Sequence, residues 1–264
     1  MSKDWMKMAD RVFFGYREVS SRDKKRLVRE QFDPIARTYD LADVVLTGGL
    51  DSLWRRKVIR LMGVRPRDRV LDVCGGTGGL ALLALRMSGP EGCAVVYDFS
   101  RAMMEEGRRR AVKSRTEGCL LFVQADAEDL SFSEEVFDAV TMGFGLRNLA
   151  HPERGLTEVY RVLRPEGILM VLEFSLPVSG WVRCLYHFYS FTIMPRVAGL
   201  ICGTAAPFRY LAESIRVFPP PEDNVRLLKQ TGFSDVQLLR LANGLAVAYF
   251  GRKSPRTGHK EEQK

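Results

Sequence analysis

A glycine-rich stretch offers the clearest chemistry in the chain. The segment DVCGGTGGLALL (72–83) follows an apolar run and contains the spacing Gly76-x-Gly78-x-x-Ala81. Glycines at this spacing let the backbone approach a ligand closely, and the helix behind them offers free N–H groups. Asp98 follows about twenty residues after Gly78, where an acid can accept hydrogen bonds from ribose hydroxyls. The loop therefore predicts either a hydride-carrying dinucleotide such as NAD or the methyl donor S-adenosylmethionine (SAM).

Acidic residues recur at or just beyond the ends of several predicted strands, where ligands of parallel sheets bind. Asp72 precedes the glycines, and Asp98 is predicted to bind ribose, with a helix cap as the alternative. Asp126-Ala127 is predicted to lie beside adenine, with a solvent-facing turn as the alternative. Glu173 is either a structural acid or a substrate contact. Together they predict one ligand site built from several strands.

A second glycine-containing loop, GFGLRNLAHPE (143–153), follows the fourth predicted strand. Gly143 and Gly145 flank an aromatic residue, and Arg147 and Asn148 come just before a proline. Polar side chains on a tight loop near a cofactor are typical of substrate positioning.

The elements that must position these residues alternate between strands and helices. Residues 1–64 are predicted to be helical, and a helix over 152–163 is predicted to stop at RPEG. Asn243-Gly244 joins two terminal apolar runs and predicts a hairpin with a type I′ turn. This alternation predicts an α/β fold with a mainly parallel sheet that ends in an antiparallel hairpin. The five strands that precede the hairpin are predicted over 70–74, 93–100, 119–127, 137–145 and 168–175.

Composition indicates an ordinary globular protein of 264 residues, with 46% hydrophobic and 27% charged residues. The five cysteines show neither C-x-x-C nor cysteine–histidine metal spacing, so we expect free thiols, a reducing compartment and no metal. The first residues lack the apolar centre of a secretory signal, and no window reaches the roughly eighteen uninterrupted apolar residues of a spanning helix, the closest being 185–203. These observations predict a cytoplasmic protein.

The net charge of +8 can favour nucleic acid or an anionic membrane surface. No stripe of arginine and lysine interleaved with aromatic residues is present, so we expect no nucleic-acid partner.

Several long motifs in the correct order resemble the ubiquinone/menaquinone biosynthesis C-methyltransferase family. The segment FGLRNLAHPERGLTEVYRVLRPEGILMVLEFSLP (144–177) is similar to the family hallmarks F-G-L-R-N, R-V-L-K-P-G-G and L-E-F-S-x-P. FDPIARTYDLADVVLTGGLDSLWRR (32–56) resembles the segment that ends in W-[KR]-[KR] in the family. The resemblance runs over nearly the whole chain, and further matches are FGYREV (14–19), YSFTIMP (189–195), YLAESIRVFPPPE (210–222) and GLAVAYFGRK (244–253).

The resemblance implies a Rossmann-like class I SAM-dependent methyltransferase fold with a seven-stranded sheet. It implies methylation of a ring carbon on a polyprenylated quinol, with demethylmenaquinol favoured over the corresponding benzoquinol or another small aromatic substrate. The site residues fall into two groups. SAM would be bound by Asp72, Gly76, Thr77, Gly78, Asp98, Asp126, Ala127 and Gly143, and no metal is expected. The substrate hydroxyl would be contacted by Arg147 and Asn148.

The chain departs from the family pattern at positions near these residues. Asp51 stands where the family commonly has His, and Gly79 where an Asp often closes the glycine loop. Asp43 or Ala42, depending on alignment, replaces a usual Asn, and Asp126 replaces a frequent Asn. The loss of the acid at Gly79 removes part of the expected contact to the methionine end of SAM.

The predicted organisation is an N-terminal helical arm over 1–64, a SAM-dependent methyltransferase domain over 65–251 and a disordered tail over 252–264. An aromatic-rich insert at about 176–232 would supply the substrate pocket, with helices that only pack on the sheet as the alternative. Since a polyprenyl tail lies in the bilayer, we expect transient contact with the inner face of the membrane. A homodimer is one option for the assembly.

A ring hydroxyl with a pKa of about 10 needs help to ionise at neutral pH, and no histidine is an obvious base. Arg147 and Asn148 are predicted to orient a water or stabilise the phenolate. Three alternatives remain. An NAD oxidoreductase is disfavoured by the terminal hairpin, and an RNA methyltransferase is disfavoured because no RNA-binding module is evident in the sequence. The third is a non-catalytic SAM-binding protein.

Overall fold

The N-terminal part of the chain combines a short hairpin with three helices. The computed structural model describes residues 10–116 and 118–255. The prediction of helix throughout 1–64 is wrong for residues 11–20, where Gly15 turns the chain at a φ of +56°. Residues 10–46 are called the arm below. The elements of this part are β1 (Arg11–Phe14), β2 (Arg17–Ser20), α1 (Ser21–Phe32), α2 (Tyr39–Leu46) and α3 (Leu50–Met62).

Seven strands form the central sheet, in the order β5-β4-β3-β6-β7-β9-β8. The strands from β5 to β7 pair in parallel, whereas β9 runs antiparallel to both of its neighbours. This topology confirms the predicted α/β fold with a C-terminal antiparallel hairpin. The strands are β3 (Arg69–Val73), β4 (Cys93–Asp98), β5 (Leu120–Gln124), β6 (Phe137–Gly143), β7 (Leu163–Phe174), β8 (Ser234–Leu241) and β9 (Ala246–Arg252).

Helices cover both faces of the sheet and produce two apolar cores. On one face α3 packs beside the next helix, with Trp54, Val58 and Leu80 buried. On the other face Leu156 and Leu228 are buried. The helices that follow α3 are α4 (Gly79–Ser88), α5 (Arg101–Ser114), α6 (Pro152–Val162), α7 (Gly180–Phe188), α8 (Met194–Cys202), α9 (Ala206–Val217) and α10 (Pro221–Gln230).

Two turns refine the sequence-based picture. Asn243 and Gly244 have φ values of 56° and 85°, and Leu245 N–H donates to the Ala242 carbonyl at 3.1 Å, as the expected type I′ turn requires. Helix α6 ends at Val162, immediately before LRPEG as predicted, but the strand that follows begins at Leu163 instead of residue 168 and contains a bulge, because the partner of β6 jumps from Leu163 to Ile168. The extra residues leave the ladder there without ending the strand.

The segment predicted as an aromatic-rich insert packs largely against the arm. Met194 and Ala198 of α8 and Phe208 of α9 form a third core with Ile35 and Ala42. A π-helical turn, Tyr189–Ile193, joins α7 to α8. The disordered tail was predicted from residue 252, but Arg252 is the last residue of β9, and residues 256–264 lie outside the described part of the chain.

Candidate functional site

The glycine loop joins β3 to α4 in the conformation that its glycines allow. Gly76 and Gly78 have φ values of +54° and +75°, which residues with a Cβ rarely adopt. Gly76 N–H donates to Asp98 Oδ2 at 2.9 Å, so the acid that ends β4 holds the loop from the neighbouring strand. The two features predicted for one ligand therefore meet in space.

Asp72 lies beneath the loop and supports it. Its carboxylate accepts from Thr141 Oγ1 at 2.7 Å and from Ala81 N–H at 3.1 Å, and the residue is 1% exposed. Burial raises its pKa to about 6. A Cβ at Gly75 would approach the Asp72 carbonyl to 2.8 Å, so glycine is required for this close packing. Asp72 therefore orients the loop and the first turn of α4.

Asp98 stands at the edge of a cavity and has partners on both oxygens. Its Oδ1 accepts from Ser100 N–H at 2.8 Å, and its burial raises its pKa to about 6. The helix cap is a separate residue, because Ser100 Oγ accepts from Met103 N–H at 3.2 Å at the start of α5. Asp98 is therefore free of the capping role and presents its carboxylate beside the loop.

The strand-end cavity lies where β3, β4 and β6 end. It has a volume of about 70 Å³, and its wall includes Gly76, Thr77, Asp98 and Gly143. Phe99, Asn148 and Leu149 also border a second depression of about 240 Å³ that reaches Asp126 and Ala127. The two spaces, together called the groove below, share these three side chains, and each wall includes a carboxylate, Asp98 in one and Asp126 in the other. Carboxylates can accept hydrogen bonds from the ribose hydroxyls and the adenine amine of a nucleoside-containing ligand such as SAM.

The arm contacts the border of this groove at three places, and each contact is to a loop that follows a different strand. Lys25 Nζ contacts Asp126 Oδ2 at 2.6 Å. Asp33 accepts from Ser100 Oγ, and Thr77 Oγ1 donates to Asp40 Oδ1 at 3.0 Å. Arg110 of α5 donates to the side chains of both Thr77 and Asp40. Two of the predicted cofactor residues, Thr77 and Asp126, are thus engaged by the arm.

The loop after β6 is built around a buried ion pair. Arg147 Nη1 lies 2.6 Å from Glu173 Oε2, and their side chains are 3% and 0% exposed. Glu173, which the sequence left as either a structural acid or a substrate contact, is the counter-charge of Arg147. Arg147 Nη1 also donates to the Phe144 carbonyl at 2.7 Å, whereas its buried Nε has no partner. This Nε is itself inaccessible, and Arg147 lines neither the strand-end cavity nor the apolar cavity described below.

Asn148 and Lys24 fix the rest of this loop. Asn148 Nδ2 donates to the Phe144 carbonyl at 3.1 Å, and its Oδ1 accepts from Tyr210 OH at 2.9 Å. Lys24 Nζ donates to the carbonyls of Arg147 and Leu149 at 3.1 and 2.7 Å. Burial lowers the pKa of Lys24 to about 8. The arm thus helps to hold the loop that carries Arg147 and Asn148.

A larger apolar cavity of about 310 Å³ lies on the other side of the same loop. Its wall comes from α2, α3, α7, α8 and α9, and includes Trp54, Phe174, Tyr186 and Met194. Phe174 stacks on Phe144 with ring centroids 4.2 Å apart, and Phe144 in turn lines the strand-end cavity. A pair of stacked rings therefore separates the two cavities.

Arg55 of α3 connects the residues that depart from the family pattern. Its Nε donates to Asp51 at 2.8 and 3.0 Å, and its Nη2 lies 3.7 Å from Asp43 Oδ2. A Cβ at Gly79 would lie 3.3 Å from Arg55 Nη1, so the guanidinium occupies the space above Gly79. Asp51, which Arg55 contacts, therefore supplies an acid on α3 in place of the acid that the family often has at the position of Gly79 on α4. Arg55 was not predicted as a site residue, and the one signal in the sequence that could have indicated it is its position in the W-[KR]-[KR] motif.

Within the described residues, no group of three or more histidine, cysteine, aspartate or glutamate side chains is arranged to hold a metal ion. No helix in that part of the chain is long and apolar enough to cross a bilayer.

The sequence was compared with known families and curated proteins. The model of the ubiE/COQ5 methyltransferase family matches residues 18–253. The ubiquinone/menaquinone biosynthesis C-methyltransferase UbiE of Pseudomonas putida (strain GB-1) is 42% identical over 240 residues, which cover 91% of this chain and 94% of the relative. The protein of the same name from Pseudomonas fluorescens (strain SBW25) gives the same identity and coverage.

The fold was compared with solved structures. A SAM-dependent methyltransferase from Aquifex aeolicus superposes with a TM-score of 0.54 and 16% identity, over 75% of this chain and 88% of the other. A SAM-dependent methyltransferase from Thermotoga maritima, described as a possible histamine N-methyltransferase, has a TM-score of 0.60 and 19% identity, over 86% and 100%. At these identities the likeness concerns the fold alone, and it confirms the predicted class I methyltransferase architecture.

Proposed function

Because this chain belongs to the ubiE/COQ5 methyltransferase family, a family of SAM-dependent C-methyltransferases, we propose that it methylates a ring carbon of a polyprenylated quinol, with demethylmenaquinol as the acceptor. The observation that carries this proposal is the pairing of two cavities across the Phe144–Phe174 stack. The groove at the strand ends offers polar groups for SAM. The cavity of about 310 Å³ beside it is apolar and suits a hydrophobic ring.

The residues proposed to hold SAM divide into direct and supporting groups. Asp98 would accept from the ribose hydroxyls, and Asp126 with Ala127 would lie near the adenine. The backbone of Gly76–Gly78 and Gly143 would allow close approach, while Asp72 and Thr77 keep the loop in place. When bound, SAM supplies a methyl group carried by a positively charged sulfur.

Arg147 and Asn148 are proposed to act on the acceptor side. The Arg147 guanidinium lies 5.6 Å from the Phe174 ring, which lines the apolar cavity, and its Nε is an unpaired buried donor. A preorganised positive charge beside the cavity stabilises a phenolate as it forms. Asn148 is held by Tyr210 and lines the groove near Phe144.

The test is a methyl-transfer assay with labelled SAM and two short-chain acceptors, a demethylmenaquinol and the corresponding methoxybenzoquinol. We expect carbon-methylated naphthoquinol as the main product. Methylation of the benzoquinol alone would move the assignment to the ubiquinone branch. Failure of both acceptors, with SAM binding intact by calorimetry, would overturn the proposed reaction and favour another aromatic substrate or a non-catalytic role.

Exposed apolar residues in the wall of the apolar cavity and on the helices that form it support the proposed contact with the inner face of the membrane. Leu50 and Leu185 line the cavity and are also exposed, so the cavity opens between α3 and α7. A surface of this kind on a protein with a net charge of +8 suits an anionic lipid headgroup region. Other exposed apolar residues on α2, α3, α7 and α8 are Leu41, Val44, Val45, Leu53, Trp181, Phe188 and Leu200.

Replacing Trp181 and Leu185 together by serine is expected to lower binding to anionic vesicles about tenfold or more, because two large apolar side chains would no longer enter the lipid. Vesicle flotation measures the effect. Val112→Ser is the matched control, since Val112 is 62% exposed on α5, away from the cavity wall. Equal binding by the double variant and the wild type would place the membrane contact elsewhere.

A further inference from the structure

We propose that Asp43 is the general base that accepts the proton of the acceptor hydroxyl in the apolar cavity. This inference rests on the function proposed above. Among the residues that line this cavity in the described part of the chain, Asp43 is the one with a carboxylate. The remaining lining side chains are apolar or carry a hydroxyl. A hydroxyl-bearing ring held there therefore meets a carboxylate acceptor only at Asp43.

Asp43 is placed for this role by the helix pair α2 and α3. It lies on α2, its side chain is 11% exposed, and its Oδ2 is 3.7 Å from Arg55 Nη2. At 3.7 Å this contact is an ion pair without a direct hydrogen bond. Arg55 instead donates to Asp51 at 2.8 and 3.0 Å, which leaves lone pairs of Asp43 available to a ligand.

The surroundings of Asp43 bring its pKa close to neutral pH. Burial raises its pKa to about 7, the negative charges of Asp51 and Asp40 act in the same direction, and Arg55 opposes them. The side chain of Tyr39, like Arg55, lowers the pKa of Asp43 and so favours the ionised carboxylate. A general base works best when its pKa lies near the working pH. Across the cavity, the hydroxyl-bearing groups are Tyr186 and Tyr189.

The same residue lies at the boundary between the two cavities. Arg55 lines the strand-end cavity, and its guanidinium carbon is 5.2 Å from the centre of the Phe144 ring. Asp43 lies on the other side of Arg55 and lines the apolar cavity. A ring beside Asp43 is therefore separated from the methyl-donor groove by one layer of side chains. A ring bound there can lose its proton to Asp43, and methyl transfer to it requires the Phe144–Phe174 layer to move aside so that the ring carbon contacts the methyl group.

The proposed step balances as follows. The hydroxyl O–H bond breaks, the proton moves to Asp43, and the electron pair stays on the ring oxygen. The negative charge reaches the ring carbon, whose electron pair forms the new carbon–methyl bond while the sulfur keeps the electrons of the S–CH₃ bond. The ring carbon then loses its hydrogen as a proton to water, and Asp43 returns its proton to the oxygen.

The two described histidines are placed less well for this task. His151 lies 3.7 Å from Asp10 and 3.6 Å from Glu153, and His187 faces Arg216 at 3.4 Å. Neither lines the apolar cavity.

The decisive variant is Asp43→Asn, which keeps the size and polarity of the side chain but removes the base. We expect turnover to fall about a hundredfold, with SAM affinity by calorimetry changed less than about threefold, since Asp43 does not line the groove. In the wild type, turnover is expected to rise with pH through about 7, as Asp43 ionises. The variant is expected to lose this limb of the pH profile.

Asp51→Asn is the matched control on the adjacent helix. Asp51 contacts the same arginine but does not line the cavity. Removing its negative charge lowers the pKa of Asp43, so the limb is expected to move to lower pH and to persist. For Asp43→Ala, added formate is expected to restore part of the turnover, because a small carboxylate can enter the space.

Three results would overturn the inference: an unchanged pH limb in Asp43→Asn, turnover within about threefold of wild type, or no effect of formate on Asp43→Ala. A protein that binds SAM but methylates neither quinol, even as the wild type, would instead refute the proposed function. The two failures are therefore distinguishable.

Discussion

Replacement of Arg147 by methionine is expected to lower the free energy of unfolding by about 3–5 kcal/mol. The substitution leaves the Glu173 carboxylate, which is 0% exposed, without its counter-charge at 2.6 Å. It also removes a donor from the Phe144 carbonyl at 2.7 Å. Denaturation in urea, followed by tryptophan fluorescence, measures the loss, and an unchanged midpoint would mean that the pair is not formed in solution.

The double variant Arg147→Met/Glu173→Leu separates stability from chemistry. We expect it to recover part of the lost stability, because apolar residues can replace a buried ion pair at little cost. The recovery is incomplete because the backbone N–H at position 147 loses its acceptor, Glu173 Oε1 at 3.1 Å. We expect turnover to stay about a hundredfold below wild type, since the positive charge beside the apolar cavity is still missing. If turnover returned together with stability, Arg147 would be a structural residue only.

Asp98→Asn is expected to weaken SAM binding about a hundredfold, which corresponds to one or two charge-assisted hydrogen bonds. In the wild type, Asp98 accepts from two backbone N–H groups, of Gly76 and Ser100, at 2.9 and 2.8 Å. An asparagine NH₂ would face one of these donors and displace the glycine loop. Calorimetry with SAM measures the affinity.

The same carboxylate predicts how SAM binding depends on pH. Since burial raises the pKa of Asp98 to about 6, the acceptor form is lost as the pH falls below that value. The affinity is then expected to fall about tenfold for each further pH unit, by mass action. Asp126→Asn is the control, because Asp126 is 44% exposed in its side chain and its replacement is expected to have a smaller effect. An Asp98→Asn variant that binds SAM like the wild type would remove Asp98 from the site.

The parts of the site that follow from local sequence were predictable. The glycine loop, the acids at the strand ends and the Asn243-Gly244 turn each depend on residues within one short segment. Glycine spacing and strand ends therefore indicated where Asp72, Asp98 and Gly143 would meet. The terminal hairpin was also evident, because its two strands are adjacent in sequence.

Contacts between distant segments were not predictable in the same way. The sequence shows Arg147 on a polar loop but not its pairing with Glu173, which depends on how β7 packs beside β6. Asp43 appears only as an acid within an apolar helix. Its place in the cavity wall requires α2 to pack against α3 and α8, and neither contact has a local signal. The hairpin at 11–20 was missed because its strands have only four residues each.

The arm covers the groove, and part of its attachment consists of ion pairs that salt weakens. Its contacts at Asp126 and at Asp40 join half-exposed side chains, with exposures of 37% and 44% in the first pair and 33% and 42% in the second. Such pairs contribute about 0.2–1 kcal/mol each and are weakened by dissolved ions. Other contacts of the arm are buried, namely those of Lys24 with two loop carbonyls and of Lys25 with Glu128, whose side chain is 2% exposed. We therefore expect dissolved ions to loosen the exposed attachment points of the arm while the buried ones persist.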